Sequence, residues 1–114
     1  MTHIYKLLPA SLWREAEAAG VFAGAGIDLS DGYIHFSTRA QVEETAARYF
    51  AGVPDLLLVA VEAERLGAAL KWEPSRGGDL FPHLYGTLPV DLVARVAALP
   101  LRADGGHDFS GLLE

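Results

Sequence analysis

Apolar and polar positions alternate most cleanly over Asp31-Gly32-Tyr33-Ile34-His35-Phe36-Ser37-Thr38. As a strand, this stretch points Ile34 and Phe36 to one face, suited to a core, and Tyr33, His35 and Ser37 to the other. Thr38 followed by Gln41 fits a capping box, so a helix starts where this polar face ends. Phe81-Pro82-His83-Leu84-Tyr85-Gly86 reads as a second strand of the same kind, with Phe81, His83 and Tyr85 on one face. A candidate site is expected between these two strands.

The remaining pattern supplies the frame. Ile4 to Leu8 predicts a first strand, with Tyr5 and Leu7 on one face and Ile4, Lys6 and Leu8 on the other, stopped by Pro9. Ser11 to Ala19 predicts a helix closed by Gly20, burying Leu12, Trp13 and Ala16. Val21 to Asp31, rich in Gly, Asp and Ser, reads as a loop. Arg39 to about Ala51 predicts a helix with Val42, Ala46, Tyr49 and Phe50 inward and a Glu44–Arg48 pair on its solvated side. Leu56 to Val61 is continuously apolar, which predicts a central strand buried on both faces. Leu70 to Glu73 and Val93 to Leu99 predict further strands, with a turn at Glu64–Gly67, a loop at Pro74–Asp79 and one helical turn at Pro89–Leu92. The tail from Asp104 reads as loosely held. Two helices fall early and strands accumulate late, an α+β order rather than a regular parallel α/β repeat.

Composition narrows the classes. The chain has 114 residues and 51% hydrophobic content, which predicts one globular domain spanning 1–114. A net charge of −6 argues against general nucleic-acid binding, though not against a local phosphate pocket. No apolar run has the length of a membrane span, and Met1-Thr2-His3 leads straight into a strand, so neither a membrane anchor nor a signal peptide is expected. With no cysteine, disulfides and thiolate metal sites are excluded, and a cytoplasmic location is the expectation.

The candidate chemistry rests on few residues. His35 reads either as a ligand-binding or acid–base group or as a core histidine satisfied by one hydrogen bond; Tyr33 and Ser37 beside it favour the former. His83 and Tyr85 read either as part of the same site or as an aromatic cover on the sheet. Glu73 is a candidate base, but a simple ion pair with Lys71 on its own strand face is the favoured reading. Asp28 and Asp31 frame Leu29-Ser30 and read as turn-capping residues rather than metal ligands. No His-x-His, HExxH or EF-hand spacing occurs, so no metal is expected.

Ile4-Tyr5-Lys6, Trp13, Asp31 through Thr38, Trp72-Glu73 and Phe81 through Gly86 resemble the uncharacterised bacterial family known as domain of unknown function 952, over almost the whole chain. The order of elements is more distantly similar to the ADP-ribosyltransferase fold of poly(ADP-ribose) polymerases and RNA 2′-phosphotransferases. That resemblance implies a split antiparallel or mixed sheet with two helices and a nucleotide-like ligand, NAD or a relative. It places Tyr5 and Lys6 in the first-strand ligand slot and His35 in the second. The chain departs from that fold's pattern in lacking the His-Gly-Thr or Arg-Gly first-strand motif and the late-strand glutamate. The resulting expectation is His35, His83 and Glu73 as catalytic candidates and Tyr5, Lys6, Tyr33, Ser37, Thr38 and Tyr85 as ligand-binding candidates. A non-catalytic module that recognises a metabolite or a modified protein is the rival reading.

Overall fold

In the computed structural model, which describes residues 2–113, the strands fall into three antiparallel sheets. The largest has the order β4 (Ser37–Thr38), β1 (His3–Pro9), β5 (Leu56–Glu62), β9 (Val93–Leu99). The second has the order β3 (Ile34–His35), β7 (Leu80–Leu84), β6 (Leu70–Pro74). A small third sheet pairs β2 (Val21–Phe22) with β8 (Leu88–Pro89). The architecture is α+β, as the order of elements predicts.

β5 is interior, paired with β1 over its whole length on one side and with β9 on the other. Its alternate residues enter two different cores. Val59 and Val61 join Ile4, Leu8, Trp13, Phe22, Ile34, Phe36, Leu84 and Leu88, beneath helix α1 (Ala10–Ala19). Leu56, Leu58 and Ala60 join Tyr5, Leu7, Leu99 and Phe109, beneath helix α3 (Arg39–Tyr49). A strand sandwiched between two helical layers needs apolar side chains at every position, which is the physical basis of its unbroken hydrophobic run.

Several expectations are corrected. The run from Asp31 to Thr38 is not one strand. Ile34 and His35 pair with β7, the Phe36 N–H donates to the Pro82 carbonyl at 3.0 Å, and Ser37 and Thr38 then pair with β1 in the other sheet. The chain therefore changes sheets at Phe36, whose side chain fills the core between them. The Val21–Asp31 loop contains β2 and a third helix, α2 (Ile27–Asp31). Tyr49 points to solvent, so α3 buries only Val42 and Ala46 within its length, with Phe50 half-buried beyond it. The tail is packed: Gly52 N–H donates to the Gly105 carbonyl at 2.8 Å, His107 Nε2 lies 2.9 Å from the Val53 carbonyl, and Phe109 enters the core under α3. The capping box forms as its spacing predicts, with Thr38 N–H donating to Gln41 Oε1 at 3.0 Å.

Candidate functional site

His35 on β3 and His83 on β7 occupy directly opposed positions of an antiparallel pair, so both rings stand on the same face of the second sheet. Their ring centroids are 5.4 Å apart. On β6, Glu73 lies diagonally from His83 on that face, and its Oε1 is 2.8 Å from His83 Nδ1. Tyr85, just beyond β7, donates its hydroxyl to the same oxygen at 2.8 Å. Tyr33 lies over the group, stacked on His83 at 4.2 Å and in tilted contact with His35 at 4.6 Å and Tyr85 at 5.1 Å. Because the two strands are hydrogen-bonded to each other, no cleft opens between them. The site is one face of their sheet rather than a gap between two strands.

α2 supplies the rest. Its Asp28 is 4% exposed and turns inward, where Oδ1 meets His35 Nδ1 at 2.6 Å and accepts the His35 backbone N–H at 3.0 Å. Asp28 Oδ2 accepts the Ala25 N–H at 3.0 Å and meets Lys6 Nζ at 2.8 Å, while Oδ1 lies 3.1 Å from the same ammonium. Asp31, four residues before His35, places Oδ2 at 3.0 Å from His35 Nε2. Each ring nitrogen of His35 thus faces a carboxylate, and both bonds form together only with a proton on each nitrogen. The loop geometry depends on glycines. Gly32 closes α2 at φ 85°, and a Cβ on Gly24 would lie 3.0 Å from Asp28 Cβ.

The electrostatics follow from this packing. Burial pushes the Asp28 carboxyl up, but the His35 hydrogen bond and the Lys6 charge outweigh it and hold the group down at about 2. Burial pushes the Lys6 ammonium below its ordinary value, opposed by Asp28. With both carboxylate oxygens within 3.1 Å of Nζ, we take the pair as ionised. Hydrogen bonds from His83 and Tyr85 hold Glu73 below the usual carboxylate range. The reciprocal bond pushes the Tyr85 phenol up to about 12. Burial and the charges of Asp31 and Glu73 raise Tyr33.

The structure brings together His35, His83, Glu73, Tyr33 and Tyr85. It places others elsewhere. Tyr5 is buried on the opposite face of β1, in the core under α3. Ser37 pairs with Tyr5 in the register, is buried, and shares a 2.9 Å hydrogen bond with Thr45 Oγ1. The sheet change at Phe36 is what separates it from His35. Thr38 caps α3. Lys6 reaches the site only through Asp28. Glu73 is bonded to His83 and Tyr85 in place of the expected pairing with Lys71. Asp28 and Asp31, read from sequence as turn residues, are its missing carboxylates; the signal in the chain is their placement between Gly26 and Gly32, upstream of His35. Among the described residues, no group of three or more metal-ligating side chains is placed to hold an ion. A separate hollow of about 340 Å³ lies off the other face of β6, lined by Thr2, Ala63, Glu64, Gly67, Leu70 and Trp72.

A family model described as "Protein of unknown function (DUF952)" matches residues 7–96. The crystal structure of protein CC0527 from Caulobacter crescentus is similar at 53% identity, with 95% of each chain covered and a TM-score of 0.92. The solution NMR structure of CC0527 is similar at 53% identity, covering 96% of this chain and 94% of that one, with a TM-score of 0.87. No curated protein matches the chain. No helix among the described residues is long and apolar enough to cross a membrane.

Proposed function

This chain belongs to the DUF952 family, and we propose that it is a small nucleotide-binding domain that takes NAD or a related nucleotide and transfers a ribosyl or phospho-ribosyl group. The observation that carries the reading is the opposed pair of imidazoles, each held at Nδ1 by a carboxylate: His35 by Asp28 at 2.6 Å and His83 by Glu73 at 2.8 Å. A carboxylate at Nδ1 orients the ring and fixes its tautomer, which directs Nε2 of His83 to a reacting group, while Nε2 of His35 is engaged by Asp31 at 3.0 Å. In such a transfer the bond from ribose C1′ to its leaving base breaks. A bond from an acceptor oxygen to C1′ forms, and the acceptor's proton passes to Nε2 of His83, which is 3% exposed beneath Tyr33 and is reached only when that ring moves aside. His35, bonded to Asp28 and Asp31, is the complementary acid for a base that departs as an anion; nicotinamide departs neutral with the C1′–N electron pair and takes no proton. Tyr33 and Tyr85 offer flat faces to a base or nicotinamide ring. The choice of group transfer rests on the distant resemblance of the sequence to the ADP-ribosyltransferase fold. A cytoplasmic setting belongs to the same reading.

Charge constrains how the ligand sits. Lys6 is committed to Asp28, and the exposed edge of the site carries Asp31 and Glu73. Ribose hydroxyls, as donors, suit that edge; phosphates do not, and they lie outward of it. The mutual stacking of Tyr33 on His83 favours a second reading, a non-catalytic module that holds a planar ligand on the same face.

The test is titration of labelled protein with NAD and ADP-ribose, followed by NMR on the rings of Tyr33, His35, His83 and Tyr85, with the solution assayed for released nicotinamide. Ring shifts with product support the transferase; ring shifts without product support the module. Unmoved rings at millimolar nucleotide refute both nucleotide readings.

A further inference from the structure

We propose that Lys6 is a positioning residue of this site: by neutralising Asp28 it leaves His35 able to release and take up a proton, and it touches no ligand itself. Its role deepens the acid–base reading given above.

Lys6 lies on the β1 face that looks into the core under α1, paired across the sheet with Val59. The side chain is buried, and its ammonium ends on both oxygens of Asp28 at 2.8 and 3.1 Å. Asp28 in turn accepts the N–H groups of Ala25 and His35 and faces the His35 ring. Both of its oxygens are thereby occupied from inside the fold, so neither is offered to a ligand. A buried carboxylate demands a counter-charge. Without Lys6 the nearest candidate is His35 itself, whose imidazolium form Asp28 would favour, so that it would give up its proton less readily. With Lys6 in place that demand is met on the far side of the carboxylate. Asp28 then acts on His35 as an orienting acceptor rather than as a trap for its charge.

The other groups around His35 do not replace this function. Asp31 meets Nε2 but is exposed, so water screens its charge. His83 and Tyr33 contact the ring through their own rings, Tyr85 contacts Tyr33, and Glu73 is engaged by His83 and Tyr85. Lys6 is the cation that this constellation places on Asp28.

The experiment follows the His35 ring by NMR across pH in the full chain, in the parent, Lys6→Met and Lys6→Arg, with thermal melting of each. The expected result is a rise of the His35 midpoint by about half a pH unit or more in Lys6→Met, returned toward the parent by Lys6→Arg. A purely structural lysine predicts a lower melting temperature with an unmoved midpoint, and that outcome overturns the proposal. If Lys6→Met does not fold, the parent and His35→Gln carry the test. The Lys6 Nζ resonance must then shift at the pH where His35 titrates, and lose that inflection in His35→Gln. A Lys6 resonance flat through that pH overturns the proposal. Failure of nucleotide binding leaves these readouts intact, so the two proposals fail separately.

Discussion

His35 and His83, far apart in the chain, face each other across one antiparallel pair with ring centroids 5.4 Å apart, each ring held at Nδ1 by its own carboxylate. Two groups in such contact would act as a unit on any ligand that touches both. If both bind nucleotide, His35→Ala and His83→Ala each weaken affinity by about 1–3 kcal/mol. Their double variant loses less than the sum, because each single change already disturbs the common stack. Calorimetric titration of the four proteins is the check, and strict additivity contradicts a shared site.

Ser37→Ala separates scaffold from site. Its hydroxyl bonds Thr45 under α3, in the other sheet from His35. The substitution should cost about 1 kcal/mol of stability and leave the ring titrations of His35 and His83 unchanged. Denaturant melts with paired NMR titrations measure both quantities; a moved imidazole midpoint would put Ser37 back in the site.

Asp28 makes the fold acid-sensitive in a definite window. Its carboxyl sits at about 2 in the folded chain against an ordinary 3.8. A depressed carboxyl stabilises fully above the unfolded value, and that stabilisation, on the order of 2 kcal/mol, is lost as pH falls through 4 toward 2. Glu73, Asp104 and Asp108 are also held low, so the comparison with Asp28→Asn isolates the effect. The variant should be less stable at pH 7 by about 3–5 kcal/mol, since it strands a buried ammonium. Its stability should also fall less steeply between pH 4 and 2. Parallel curves for the two proteins would show that Asp28 does not carry this dependence.

Glu73→Gln tests the outer half of the site. The Tyr85 phenol is pushed up to about 12 because its hydroxyl donates to a carboxylate. A neutral amide acceptor removes the charge, so the Tyr85 midpoint should fall toward its ordinary 10.0. Ring-resolved NMR, with Tyr85→Phe for assignment, reads the change. A midpoint that stays near 12 would mean that Glu73 is not its cause.

Val59→Asp probes the centre of the large sheet. Val59 is fully buried on β5, inside the core under α1. An unpaired carboxylate there should cost on the order of 4 kcal/mol or more, enough to unfold a small domain. Circular dichroism and melting would show it directly, and a parent-like melt would contradict the central placement of β5.

What the chain dictates by itself is whatever depends on near neighbours or on uninterrupted pattern. The unbroken apolar run of Leu56 to Val61 required a strand covered on both sides. Thr38 with Gln41 required a helix start, and alternation in two short stretches put His35, His83 and Tyr85 on one sheet face, where His83 is nevertheless buried. Sequence spacing also put Ser37 beside His35, and there it failed. A two-residue period holds only while one strand stays in one sheet, and the chain leaves β3 for β4 at Phe36. The roles of Asp28 and Lys6 belong wholly to tertiary structure. A carboxylate in a glycine-flanked turn normally caps that turn, and only the packing of α2 against β1 and β3 buries it, brings an ammonium from the first strand to its oxygens, and turns it toward an imidazole. Local chemistry chose which residues could form the site; burial and long-range pairing decided which of them meet.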